Sequence, residues 1–352
     1  MREEVTTRVG ASLGGRPLRG AILLALGVLV LQFVFIWSYV GALHDPTPHQ
    51  LPVAVVGPAP LLQQLRSATG NTLRLVSEPN VAAAQQAIDS RRVYGAFLPS
   101  ASGDQLTVAD AAGPSVADTL ARVFTQFETA QGRELGIVHT HALPASDASG
   151  QVPYYLVLGW VLGGLLLALV LALIRGAWTH TFELALIRLA AFALYAIAAA
   201  ILGVLLVEPV LGIWHGFWLR LAALGVLIVF GTAVATAALQ IAFGVVGSGL
   251  ALLFFVILGN PSSGGLFARD LLPAFWRAIG RFLPPGAGTD AVRNLVYFDG
   301  RALAGPLAVL AAYAVLGVVL ELALGEWRRH LARRDVVRPQ RAAEAAQEQG
   351  AT

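Results

Sequence analysis

Apolar positions along this chain fall into two patterns. Residues 20–42 form one uncharged apolar run, residues 45–152 mix short apolar stretches with polar ones, and residues 154–325 are apolar with few interruptions. The first run lies between Arg19 and His44–Asp45. As a helix rising about 1.5 Å per residue it is long enough to cross roughly 30 Å of hydrocarbon. A cleaved signal peptide is the competing reading, because Val40-Gly41-Ala42 offers small residues at the right end. The apolar core from Ala21 to Trp37 exceeds the usual signal-peptide core of about 7–15 residues, so an uncleaved anchor is expected.

The apolar half divides at its charges. A second span is expected at Tyr154–Ile174, closed by Arg175, and a third at Leu189–Val207, bracketed by Arg188 and Glu208. No formal charge occurs between Arg220 and Arg269. One helix through that stretch would be about 70 Å long, more than twice the hydrocarbon thickness, so it must fold back. The glycines of Gly244–Gly249 (GVVGSG) mark the turn. This gives spans at 218–242 and 249–259, the second short for a crossing, and a final span at Leu303–Leu324.

Six crossings return both termini to one side. Arg2, Arg8, Arg16 and Arg19 lie in the segment 1–19, and Arg328, Arg329, Arg333, Arg334, Arg338 and Arg341 in the tail 326–352. The positive-inside bias places both in the cytoplasm. One segment runs against that bias. Residues 260–301 carry Arg269, Arg277, Arg281, Arg293 and Arg301, yet fall on the outer side.

Residues 45–152 change period. Strands are expected at 52–57, 72–76, 93–98, 105–109 and 136–141, and helices at Ala59–Ser67, Val81–Ile88 and Pro114–Glu134. In the last, Val116, Leu120, Val123, Phe124 and Phe127 share a helical face. The fold class is therefore an α-helical polytopic membrane protein of six transmembrane helices, with a small extracytoplasmic α/β domain between helices 1 and 2. Within 260–301, Asn260, Ser262 and Ser263 form an outer re-entrant turn. Leu271, Leu272, Phe275, Trp276, Ile279, Phe282 and Leu283 then line one side of an interfacial helix that Pro284 and Pro285 end.

Composition narrows the chemistry. The 352 residues are 56% hydrophobic and 13% charged, with a mean hydropathy of +0.68, which excludes an ordinary soluble enzyme. All 24 basic residues are Arg. Without Lys there is no Walker A loop and no Schiff-base amine, so the chain does not energise transport by its own P-loop. Arg- and Ala-rich, Lys-free usage points to a GC-rich bacterial genome and to the inner membrane. The pI near 9.6 reflects Arg beside apolar spans, not nucleic-acid binding. Cysteine is absent.

No catalytic, cofactor or metal site is expected. His139 and His141, two apart on a strand, share a face, but two ligands do not make a metal site. Asp89, Asp104, Asp110 and Asp118 fall near turns and helix starts, where capping accounts for them. Gln32, Gln240, Arg220 and Glu321 are the main polar residues of the spans. Their scarcity argues against a proton antiporter. Gly159 and Gly163 form a GxxxG pair suited to helix packing, within the bundle or between two copies.

The order LPVAVVGP at 51–58, VYGAFLP at 93–99, YYLVLGWVLGG at 154–164, GNPSSGG at 259–265 and PPGAGTDAVRNLVYFDG at 284–300 resembles the ABC type 2 permease superfamily. The likeness is to the bacterial branch containing the phage infection protein family, and it covers nearly the whole chain. It implies six helices, an extracytoplasmic insert after the first, and a cytoplasmic loop after the second facing a separate ATP-binding subunit. Here that loop is Arg175–Arg188, with Arg175, Glu183 and Arg188 as its partner-facing residues. The expected function is a homodimeric exporter subunit for a hydrophobic or amphiphilic compound, in contact with membrane lipid. The alternative is a non-transporting scaffold or receptor whose external domain binds a partner, envelope component or phage. A membrane-bound hydrolase lacks a nucleophile and base.

Overall fold

The computed structural model describes residues 15–100, 103–176 and 181–323. The described residues begin with helix α1 (Gly15–Leu43), which passes directly into an α/β domain. That domain runs β1 (Leu51–Val55), α2 (Ala59–Thr69), β2 (Leu73–Ser77), α3 (Val81–Asp89), β3 (Gly95–Leu98), β4 (Asp104–Ala109), α4 (Pro114–Thr129) and β5 (Leu135–Thr140). All eight elements lie where apolar periodicity puts them, and α4 ends five residues early.

The sheet order is β2-β1-β3-β4-β5. β1 pairs parallel with β2 and β3, β4 returns antiparallel to β3, and β5 pairs parallel with β4. Every residue of β1 is buried, as a central strand covered on both faces requires. The period of two sorts its side chains. Leu51, Val53 and Val55, with Phe97, Leu106 and Val108, pack under Leu62 and Leu65 of α2 and Leu120, Phe124 and Phe127 of α4. Ala54, Ala96 and Ala109 face the other way onto Ala84, Ala87 and Ile88 of α3. Phe298 and, on the first face, Ala268 and Leu271 complete these cores from far along the chain. The domain is thus closed partly by the bundle it sits on.

The bundle comprises α5 (Val152–Arg175), α6 (Phe182–Leu205), α7 (Trp218–Phe243), α8 (Val245–Leu252), α9 (Ala274–Gly280), α10 (Pro284–Tyr297) and α11 (Ala304–Ala323). π-helical turns extend α6 through Leu206–Val210 and α8 through Leu253–Leu258. Among the described residues, five helices (α1, α5, α6 with its extension, α7 and α11) are long and apolar enough to cross a membrane. The remaining expected crossing is the apolar Val245–Leu258, about 21 Å long at 1.5 Å per residue.

α7 is the central post. It packs α5, α6, α8 and α10 through small residues, and Thr232 and Thr236 donate their hydroxyls to the carbonyls of Ile228 and Thr232, both at 2.8 Å. The indole of Trp160 on α5 fills the space that Gly203 and Gly225 leave on α6 and α7, and its Nε1 donates to the Ala199 carbonyl at 3.3 Å. α1 lies at the periphery, with Leu23, Leu29 and Phe33 exposed as lipid-facing side chains are.

Three expectations need correction. The hairpin after α7 turns at Gly244 alone (φ +62°), and helix resumes at Val245 rather than at Gly249, because Gly247 lets α8 lie against the Leu239 carbonyl. The single interfacial helix at 271–283 is interrupted: Arg269–Leu271 is a 3₁₀ turn, Pro273 precedes α9, and only seven residues are helical. Pro284 and Pro285 do not merely end a helix. They open α10, where proline's fixed φ and missing N–H suit the first turn.

Candidate functional site at the domain–bundle junction

α10 is buried along most of its length although it carries Asp290, Arg293 and Asn294. Spacing of three and four residues puts these polar groups on adjoining faces of one turn, toward the α/β domain and the turn at 259–267. Arg91 meets them from the domain. It follows α3 with φ +54°, a left-handed position that ends the helix and turns the side chain back toward α10. Its Nη1 donates to Asn294 Oδ1 at 2.6 Å and to Asp290 Oδ1 at 3.3 Å, and its guanidinium lies 5.4 Å from the ring centre of Phe298.

Arg269 donates to the other oxygen of Asp290 and to the Ser263 carbonyl. Arg293 is held by backbone alone, donating to Gly264 O at 3.1 Å and Gly150 O at 3.2 Å. Burial favours the neutral form of Asp290, but Arg269 and Arg91 outweigh it and hold the carboxyl below its ordinary range. Burial, with Arg91 alongside, brings Arg293 down to about 10. Burial and the nearby Asp270 push the Tyr94 phenol up. The junction is charged, largely buried and short of anions.

A cavity of about 620 Å³ opens between these groups. Pro52, Val93 and Tyr94 form its domain wall, Gly264, Ala268 and Asp270 its turn wall, and α9 and α10 its floor. Five guanidiniums line it (Arg91, Arg269, Arg277, Arg281 and Arg293) against two carboxylates, Asp270 and Asp290. Arg277 lies on α9 and Arg281 caps its C-terminal end four residues on, with its guanidinium 4.8 Å from the Phe282 ring centre, and neither has an ion pair with a described carboxylate. Phe275 on α9 and Phe282 in the turn after it are exposed, while Trp276 packs on Gly41 and donates to Ser38 Oγ of α1 at 3.2 Å.

A second set of bonds locks the domain down beside the cavity. His141, at φ +47° just beyond β5, stacks on Phe298 with ring centres 4.4 Å apart. Its Nδ1 faces the Tyr297 carbonyl at 2.9 Å and its Nε2 faces Asp89 at 3.1 Å, which also holds Arg301. The Tyr297 hydroxyl donates to Asp147 Oδ2 at 2.6 Å and accepts from Trp214 Nε1 at 3.0 Å.

The histidine pair does not share a ligand. His139 is exposed against Asp110 at 2.9 Å, whereas His141 points at the bundle, and no group of three metal-binding side chains occurs among the described residues. Three of the four aspartates expected as caps do other work. Asp89 holds Arg301 and His141, Asp110 holds His139, and Asp104 accepts from the Ser100 N–H and from Arg133. Asp118 is exposed on α4.

The remaining expected residues separate in the same way. Asn260, Ser262 and Ser263 do form a turn, and it is buried: Asn260 donates to the Tyr39 hydroxyl at 3.2 Å, and both serine hydroxyls bond backbone carbonyls. Arg175 and Glu183 are exposed at the bundle end far from the domain, with residues 177–180 outside the described set. Arg188 is not a surface residue of that loop. It lies within α6, 9% exposed, with Nε donating to Glu321 Oε1 of α11 at 2.7 Å, because a charge this deep needs a partner. Gly163 packs against the Tyr195 hydroxyl, but nothing lies within 4 Å of a side chain at Gly159. The close approach of α5 to α7 is made at Gly164 instead, where a Cβ would sit 2.4 Å from the Val229 carbonyl.

An apolar groove of about 630 Å³ lies near that far end, between α7, the π turn at Leu253–Leu258 and α11. Ala238, Phe243, Phe254 and Leu316 are among its walls, with Tyr313 beside them.

Fold and site define a polytopic helical membrane protein carrying a docked α/β domain between its first two long helices. Comparison with family models, with curated proteins and with solved structures finds no match for this chain.

Proposed function

We propose that this chain is the permease-like membrane subunit of a bacterial exporter for an amphiphilic compound, working as a homodimer with a separate ATPase of the ABC type. In this reading Val245–Leu258 completes six crossings, both termini are cytoplasmic, and the α/β domain stands outside the inner membrane. The observation that carries it is the basic cavity at the foot of the domain. Its arginines adjoin the exposed Phe275 of α9 and Phe282 of the turn that follows, so a charged head and an apolar tail find matching surroundings side by side. The apolar groove at the opposite end supplies a second surface for the tail, and the exposed Arg175 and Glu183 supply the contact for the ATPase.

The test is purification of the full chain from its native membrane, followed by transport in sealed inverted vesicles. Copurification of a P-loop ATPase and ATP-dependent uptake of an amphiphile are expected. A stable monomer that transports without ATP defeats the proposal. The receptor reading draws on a different observation: β5 is an edge strand with Ile137 and Val138 both more than a third exposed, a surface open to strand addition. It predicts partner capture by the full chain that is abolished by Val138→Pro, with no transport.

A further inference from the structure

The cavity at the junction has a charge and a size that narrow its ligand. Asp290 is already shared by Arg91 and Arg269. Arg293 is turned onto two backbone carbonyls, Gly264 O and Gly150 O. Asp270 faces Tyr94. What remains is the pair Arg277 on α9 and Arg281 at its C-cap, which make no ion pair with a described carboxylate and line the same cavity. Two forked guanidiniums lining one cavity match a group with several anionic oxygens better than a single carboxylate.

A lone carboxylate neutralises one of them, whereas a phosphate monoester carries about −1.5 to −2 at neutral pH and balances both. At about 620 Å³ the cavity is also far larger than one inorganic phosphate needs, since a water molecule's share of liquid volume is about 30 Å³. It lies in the size range of pockets for whole small molecules, about 300–1,000 Å³.

The surroundings say where the phosphate comes from. α9 is fastened by Trp276 to the end of α1, the helix most exposed along its apolar length, and Phe275 on α9 and Phe282 in the turn after it are exposed beside Arg277 and Arg281. An aromatic, half-exposed helix at the end of a lipid-facing span sits at the level of membrane headgroups. We infer that the cavity binds the phosphorylated headgroup of a membrane amphiphile, with Arg277 and Arg281 as its direct ligands and Arg91, Arg269 and Asp290 as the frame that holds the walls apart. This names the class of compound for the exporter reading above, but it concerns binding alone.

The test uses the full chain in neutral detergent and titrates short-chain phosphatidic acid, short-chain phosphatidylcholine, a fatty acid of equal chain length, and inorganic phosphate. The phosphatidic acid should bind at least about tenfold more tightly than each of the other three, with affinity falling as salt rises. Arg277→Gln/Arg281→Gln should lose about tenfold or more of that affinity. Arg122→Gln, an exposed position on α4, should lose none. Arg277 is only half-buried and Arg281 exposed, so the double variant keeps its core, and an unchanged melting profile verifies this.

Undiminished binding in the double variant overturns the site. Phosphatidic acid no tighter than inorganic phosphate overturns the lipid source, and a fatty acid of equal affinity overturns the phosphate. Because no ATP or transport enters the measurement, a chain that binds but does not transport retires the exporter reading alone.

Discussion

Asp290→Asn is the sharpest perturbation of the junction. The two side chains have nearly the same shape, so the change removes charge without opening a void. Asp290 is 7% exposed and receives Arg91 at 3.3 Å and Arg269 on its other oxygen. Breaking a buried ion pair by removing one partner costs about 3–5 kcal/mol, because the surviving charge stays buried and unpaired. Here the guanidiniums keep some water, with 15% of the Arg91 and 23% of the Arg269 side chain exposed, which favours the low end, about 3 kcal/mol.

The loss falls on the seam between domain and bundle rather than on either core. At about 1.4 kcal/mol per decade, local opening of that seam rises about 100-fold. Amide hydrogen exchange on the full chain in detergent reads this directly, at residues 89–94 and along α10. Asp118→Asn, exposed on α4, is the control. The sign with pH follows from the depressed carboxyl of Asp290. Its contribution is complete above the unfolded value of about 3.9 and disappears as pH falls through the lower folded value. Protection at the seam within about twofold of the parent in Asp290→Asn, at neutral pH, would refute the clamp.

Other positions test other parts of the fold. Gly164→Ala places a Cβ 2.4 Å from the Val229 carbonyl and should cost about 1–3 kcal/mol by forcing α5 from α7, while Gly159→Ala should stay within about 0.5 kcal/mol; equal unfolding rates in detergent for the two would contradict the packing. Arg188→Leu should cost about 3–5 kcal/mol, and Arg188→Leu with Glu321→Leu together much less than the two singles summed; strict additivity in a double-mutant cycle argues against the pair. Glu128, 1% exposed, has its carboxyl raised by burial and by the nearby Asp104, with Arg133 an incomplete offset. The stability it contributes is therefore present below the unfolded value of about 4.3 and lost as pH rises through the folded one, so Glu128→Gln should slow exchange in α4 at pH 7; faster exchange would reverse that sign.

The local elements were legible because each carries its own period. Five strands and three helices of the inserted domain, and the long apolar helices, follow from alternation and run length in windows shorter than thirty residues. The junction was not legible in that way. Arg91 and Asp290 are separated by 199 positions, and no local pattern distinguishes an arginine that clamps two units from one that faces water. One signal did exist: five arginines at 269–301, a segment that a six-crossing reading puts where the positive-inside bias expects few. Read as a weakness in the topology, they are in the structure the wall of a cavity and a link to Asp89. Arg188 misled in the opposite direction. An arginine at the edge of an apolar run looks like a loop boundary until Glu321, 133 residues on, is seen beside it.

Composition and periodicity by themselves determined that this chain is a membrane protein with an α/β insert, because burial in lipid and pairing in a sheet each demand a repeating arrangement of apolar side chains that one strand or helix displays alone. Only the tertiary structure decided that the insert is docked on the bundle, which arginines are neutralised and which face a cavity. Those properties depend on distances between groups remote in sequence, and Coulomb and hydrogen-bond energies are set by distance and burial, not by order along the chain.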